Sequence, residues 1–344
     1  MTNLLVGNGV NIKHGGYSFG NADIVLRGLK SLESDDFPKH IIMDEPIWVK
    51  YFLGHLFVEI LNTLSGANDR YAVLAIEKES LVEFKQKYNG TKSLKMTDIG
   101  FEDYYLIYDI ICNKNGIGNP ERYNIRTIIQ LTFLNSIYNN GNVNVVYKAF
   151  SKGFIQWLRK HEKIFTTNYD RNIELATGKS VYHLHGDFDT LEDVYQKDSF
   201  RNSLPDNPYE KTQVDVDFLH LYSTAITTYS GNYKQYLMNL SSVANEGIDK
   251  LVDAYLNNPD VTKDVDSWGD DVDNLVARLD AAVKLRIENP NLKFQEVYPF
   301  QQLADMTGKL SIIGLSPFND RHLFAVINDS EVSECTFYYY DKKK

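Results

Sequence analysis

Cysteine is nearly missing from this chain: Cys112 and Cys335 are the only two among 344 residues, and no Cys-x-x-Cys occurs. Neither a disulfide framework nor a cysteine-built zinc site is therefore available. Positive charge is also short. Lys and Arg number 36 against 46 Asp and Glu, a formal net charge of −10. There is no overall electrostatic footprint for nucleic acid or an anionic membrane, and no direct nucleic-acid binding is expected. Long apolar runs are lacking too. The most apolar window, 47–64, is interrupted by Lys50, His55 and Glu59. It is too short and too charged to span a bilayer and reads as a buried helix. The opening Met-Thr-Asn-Leu-Leu-Val-Gly has neither a basic region nor a long apolar run, so no secretory signal is read there and a cytoplasmic protein is expected. What remains is ordinary for a globular protein, with 43% hydrophobic and 24% charged residues, enough to bury a sizeable core.

The chain is organised around residues 163–187. Lys-Ile-Phe-Thr-Thr-Asn-Tyr-Asp (163–170) and Val-Tyr-His-Leu-His-Gly-Asp (181–187) each begin β-prone and end abruptly in polar residues or glycine. Two other apolar runs end the same way, 3–6 into Gly7-Asn8-Gly9 and 310–313 into Gly314-Leu315-Ser316. In an open α/β sheet, ligands sit just beyond the carboxyl ends of the strands. The four strand ends therefore describe a nucleotide site carrying an Asn/His pair. Without side chains at Gly7 and Gly9, backbone can approach a phosphate closely. The turn departs from the dinucleotide fingerprint, because Ile12 stands where a third glycine belongs.

Between the first and second strands, segments 22–32, 46–64, 71–88, 101–112, 122–138 and 143–159 carry apolar residues at helical spacing. After His185-Gly186, one helix face is marked by Leu237, Leu240, Ala244, Ile248, Leu251 and Tyr255. A second is marked by Val272, Leu275, Leu279, Val283 and Ile287, opening at Ser267, Asp270 and Asp271 and stopping at Asn289-Pro290. The acidic interval 260–266 between them reads as a solvated linker. Runs 310–313 and 336–340 supply the closing strands. The expected fold is α/β: a Rossmann-like, mostly parallel sheet flanked by helices, with large helical insertions. One domain, 1–344, would draw its sheet core from 1–20, 160–187 and 308–341, with insertions at 20–160 and 188–305.

Gly7-Asn8-Gly9-Val10-Asn11, then Thr166-Thr167-Asn168-Tyr169-Asp170, His185-Gly186 and Gly314-Leu315-Ser316, in that order, resemble the sirtuin (silent information regulator) catalytic domain. The resemblance is nearest to the divergent bacterial branch of Thoeris and other defence-associated sirtuins; Gly-Asn-Gly with His14-Gly15 is also similar to abortive-infection proteins of that group. The matched motifs lie at the two ends and the centre of the chain, and 20–160 and 188–305 carry none. Many sirtuin deacetylases hold a structural zinc on four cysteines, and this chain departs from that pattern. The resemblance implies NAD as substrate, with Asn168 orienting the ribose and attacking water and His185 as the base. It implies cofactor contacts from Gly7, Asn8, Gly9, Asn11, Thr167, Asp170, Gly186, Gly314 and Ser316. The chemistry agrees, since an amide both donates and accepts and imidazole titrates in the useful range. Taken singly, Asn168 is also a turn cap, His185 a packed histidine and Ser316-Pro317 an ordinary turn.

A rival reading starts from His183-Leu184-His185-Gly186-Asp187, similar to metallo-β-lactamase-like hydrolases, with His220 and His322 to complete a site. Phe188 stands where that motif continues with histidine, so no metal is expected. The expected function is hydrolysis of NAD to nicotinamide and ADP-ribose, which the resemblance places in anti-phage defence by NAD depletion. The alternatives are an NAD or ADP-ribose sensing module, and a protein deacylase or ADP-ribosyl transferase. A homo-oligomer is expected, with a partner defence protein or phage-derived trigger. The helical insert, about 218–289, is expected to control the enzyme, and its apolar stripe either joins subunits or packs within the chain.

Overall fold

The computed structural model describes residues 2–35, 37–39, 41–42, 45–91, 93–205, 207, 213–269, 274–295 and 298–339. The fold is α/β, and the chain divides into two compact units. The first comprises Met1–Asp187, Ala225–Gln235 and Pro299–Lys344; the second comprises Phe188–Thr224 and Tyr236–Tyr298.

The first unit is built on a five-stranded sheet in the order β3-β2-β1-β4-β5, parallel at every pairing. The strands are β1 (Thr2–Val6), β2 (Lys163–Thr166), β3 (Tyr182–His183), β4 (Thr307–Ile313) and β5 (Glu331–Tyr338). β1 lies at the centre, with Leu4, Leu5 and Val6 wholly buried, as a strand covered on both faces must be. The run 181–184 pairs over only the two residues of β3. β5 starts well before 336; Tyr340 and the tail 341–344 lie outside the described residues.

Register places the strand ends in one row. Val6 pairs with Thr166 and with Ile313, and Thr166 pairs with His183. The next residues are Gly7, Thr167, Leu184 and Gly314, so all four motifs leave the sheet along the same edge. The chain runs from β1 outward to β2 and β3, then resumes on the other side of β1 at β4. The gap between β1 and β4 is thus the point where strand order reverses.

At that gap the two glycine turns touch backbone to backbone. The Gly7 N–H donates to the Ile313 carbonyl at 2.9 Å and the Gly9 N–H to the Gly314 carbonyl at 2.8 Å. A methyl group on Gly9 would stand 2.6 Å from the Gly314 Cα, and one on Gly7 2.7 Å from the Leu315 Cα. Gly314 itself has φ of 69°, a left-handed conformation that side chains disfavour.

The crossover from β1 to β2 is helical: α1 (Gly9–Gly15), α2 (Asn21–Ser31), α3 (Ile47–Leu64), α4 (Ala75–Tyr88), α5 (Asp103–Asn115), α6 (Glu121–Tyr138) and α7 (Lys152–Arg159). The expected helix over 143–159 is in fact broken. A 3-10 segment ends at Ala149, Phe150 is extended, and Ser151 caps α7 by accepting from the Phe154 N–H. α8 (Asn172–Thr177) joins β2 to β3. α13 (Phe300–Ala304) and α14 (Arg321–Asp329) flank β4. Leu303, Leu323 and Ile327 bury themselves against Leu5, Phe165, Leu184, Leu310 and Ile312.

In the second unit, α10 (Leu240–Asn257), α11 (Pro259–Trp268) and α12 (Asn274–Glu288) follow α9 (Gly231–Met238). The acidic interval 260–266 is therefore helix, not linker. Asn258 caps it by accepting from the Asp260 N–H, and Pro259 occupies its first turn. The anticipated α12 start at Asp270, Asp271 and Val272, and the Leu275 side chain, lie outside the described residues. Ile248, from the expected apolar stripe, packs within this unit against Phe200, Leu204 and Ala282, whereas Leu240 is exposed. The buried Arg286 ties α12 to α10, pairing with Asp249 and donating to the Asn245 carboxamide at 2.9 Å.

Replacing Gly9 with Ala is expected to destabilise the protein by about 1–3 kcal/mol, because backbone rather than a flexible side chain must yield. Gly54→Ala, inside α3 with open space around it, is expected to stabilise by about 0.5–1 kcal/mol. Urea denaturation of both variants checks the pair; equal effects would refute the close-contact account.

Candidate active site at the strand ends

Asn168 follows β2 at the edge just described. Its N–H donates to Thr166 Oγ1 at 3.1 Å, and its carbonyl accepts from His183 Nδ1 at 2.9 Å. The backbone is thus fixed by its neighbours. Asn168 is buried as a residue, and among the described residues its carboxamide makes no hydrogen bond. Such an amide can orient a ligand without first giving up a protein contact.

Asp170 is buried and engaged. It accepts from Asn11 Nδ2 at 2.6 Å, from the Asn172 N–H at 3.0 Å and from the Asn172 carboxamide. Asn172 in turn donates to the Val143 carbonyl at 2.7 Å. Burial raises the Asp170 pKa, against the amide hydrogen bonds from Asn11 and Asn172. The arrangement braces α1 against the turn after β2, which accounts for Asn11 and Asp170 without a ligand. Asn8 is exposed and donates to the Phe19 carbonyl at 2.7 Å. Thr167 donates its N–H to the Val6 carbonyl at 3.0 Å. Gly186 takes a φ of 76°, turning the chain directly after His185. Ser316 closes the last glycine turn, its carbonyl accepting from the Asp320 N–H at 3.1 Å.

The two histidines of the β3 segment have different environments. His183 directs Nδ1 at the Asn168 carbonyl and Nε2 at Glu174, 2.6 Å away. Burial opposes a charge there, but the Glu174 hydrogen bond and charge outweigh it, so its pKa is raised. With acceptors at both nitrogens, the doubly protonated ring is favoured. His185 is buried against His322, the Nε2 atoms 3.3 Å apart and the rings stacked with centroids at 5.4 Å. Burial first, then the Lys234 charge and His322, holds His185 well below the ordinary histidine range. At neutral pH it is an uncharged imidazole.

Several further titratable groups surround it; of these the sequence singles out only His322, as a candidate metal ligand. Asp320 lies 4.0 Å from His185 Nε2. Burial and the neighbouring Glu102 push its pKa up to about 7, against Lys234, a backbone bond from Ser316, and Lys87. His322 is fully buried, and burial with Lys234 lowers its pKa to about 3. Lys234, also buried, pairs with Glu102 and donates to the Ile226 carbonyl at 3.1 Å. Asp320 and His322 lie only four and six residues beyond Ser316 in sequence. Lys234 and Glu102 are 132 residues apart, and nothing in the sequence links them. His220, weighed as a metal ligand beside His322, belongs to the second unit. No cluster of three or more His, Cys, Asp and Glu side chains suited to a metal occurs among the described residues. No helix among them is long and apolar enough to cross a membrane.

The chain matches no protein-family model, no curated protein and no solved structure.

Asp320 generates a pH-dependent prediction. A carboxyl whose folded pKa is raised to about 7 contributes stability that is fully present below its unfolded value, about 3.9, and is lost as pH rises through 7. Asp320→Asn lacks that loss. Its stability relative to the unmodified protein should therefore climb between pH 4 and pH 8, by on the order of 1–3 kcal/mol. Urea midpoints across this range test it, and a pH-independent difference would contradict the buried-carboxyl account.

Proposed function

We propose that the chain is an NAD glycohydrolase, cleaving NAD to nicotinamide and ADP-ribose. One observation carries the reading: the row of strand ends holds a buried asparagine, Asn168, with no side-chain hydrogen bond among the described residues, and a buried histidine, His185, whose pKa burial lowers. Cleavage of the nicotinamide–ribose bond leaves positive charge on the ribose, and water must then capture that carbon. Asn168 would orient ribose and water; His185, uncharged, would take the water's proton. The glycine turns leave the switch point without side chains, where a dinucleotide's phosphates approach in folds of this class. The resemblance to defence-associated sirtuins supports a wider reading. In it a cytoplasmic homo-oligomer depletes NAD when a phage-derived trigger or partner defence protein releases it.

Purified protein incubated with NAD, under conditions where it turns over, should release nicotinamide, measured chromatographically. Asn168→Ala and His185→Ala should each fold and each lower the rate by roughly a hundred- to ten-thousand-fold. A folded His185→Ala protein with full turnover would refute the mechanism. Tight NAD binding without nicotinamide release would assign a sensor instead.

A further inference from the structure

Asn168 and His185 leave unexplained why a second histidine is buried beside the first. His322 lies in the first turn of α14 and has no exposed surface. Its Nδ1 has no hydrogen-bond partner among the described residues, which is costly in an apolar setting. Leu or Phe would fill this space, next to Phe300, without that cost. What His322 adds is a nitrogen 3.3 Å from His185 Nε2. Two imidazoles at that distance share one proton, and whichever ring donates has its other nitrogen determined as well.

Asp320 indicates which ring donates. It occupies the N-cap position of α14 but makes no side-chain cap bond. Its carboxyl is instead 4.0 Å from His185 Nε2, and an acceptor there favours a proton on that atom. Lys234, whose charge reaches both histidines, opposes a second proton on either. Glu102 pairs with Lys234.

We propose that His322 is the positioning residue for His185, accepting its Nε2–H and so fixing the tautomer whose Nδ1 lone pair acts as base. The proposal rests on the NAD glycohydrolase reading. As the C1′–N bond breaks, its electron pair leaves with nicotinamide. The water oxygen bonds C1′, and the water's proton passes to His185 Nδ1. The resulting imidazolium keeps its Nε2 proton between His322 and Asp320.

The test compares His322→Phe, which keeps bulk but removes the acceptor, with His322→Gln, whose amide oxygen reaches the place of Nε2. Both are first checked for cooperative melting. His322→Phe is expected to lose on the order of a hundredfold in kcat with KM changed less than about threefold, and His322→Gln to recover at least about a tenth of the original rate. Nitrogen-15 NMR of labelled histidines should find the His185 proton on Nε2 in the unmodified protein and in His322→Gln, but not in His322→Phe. Full turnover by His322→Phe would overturn the proposal, as would a His185 proton on Nδ1 in the unmodified protein. A folded His322→Gln no better than His322→Phe would overturn it too. The NMR arm needs no turnover: a protein that cleaves no NAD sinks the hydrolase reading, while the tautomer still decides the pairing.

Discussion

Two turns more than three hundred residues apart in sequence meet at backbone distance, and much of the first unit takes its position from that meeting. β1 and β4 end side by side, and both chains must leave through the same gap. Any Cβ at Gly7 or Gly9 would collide with the other turn. Once the turns are seated, register aligns the ends of β2 and β3 with them. The helix after β1 is then held from its other side by the Asn11–Asp170–Asn172 amide–carboxylate network. The glycines read from the sequence as an opening for phosphate thus have a prior structural duty, which by itself explains their lack of side chains.

Local signals made much of this legible. Apolar runs stopping at glycine or asparagine gave the strands and their ends, and helical spacing gave most of the first crossover. The failures were failures of weighting or of range. Asn258-Pro259-Asp260 is a helix start in plain view, but the acidic run after it suggested solvent. Ser151 likewise carried the cap that divides 143–159. Asp170 was legible as important, but not as a buried acid fully occupied with amides, since that depends on α1 folding back over it. Lys234 and Glu102 were beyond reach: a buried ion pair between distant segments leaves no periodicity in either.

That pair is one part of a larger polar interior. Asp103 accepts from Tyr88 at 2.6 Å and from Ser230 at 2.8 Å. Asp109, wholly buried, accepts from Arg122 Nε at 3.0 Å, and from Arg126 and Tyr229. Buried acids are tolerated only when paired and hydrogen-bonded, and removing one partner typically costs about 3–5 kcal/mol. Tyr229, Ser230 and Lys234 all come from the short stretch Ala225–Gln235. The electrostatics around His185 thus depend on a segment that contributes no strand to the sheet.

The path of that stretch has a consequence for how such a chain can be cut, spliced or inherited. The second unit is not one insertion but two, Phe188–Thr224 and Tyr236–Tyr298, with a piece of the first unit between them. A deletion running straight from 188 to 298 would carry away Tyr229, Ser230 and Lys234, stranding Glu102, Asp103 and Asp109 without those partners. The second unit is therefore not an exchangeable cassette. A recombination event that moved it whole would take part of the sheet unit's interior along, and only a double splice respecting 225–235 would leave the donor intact.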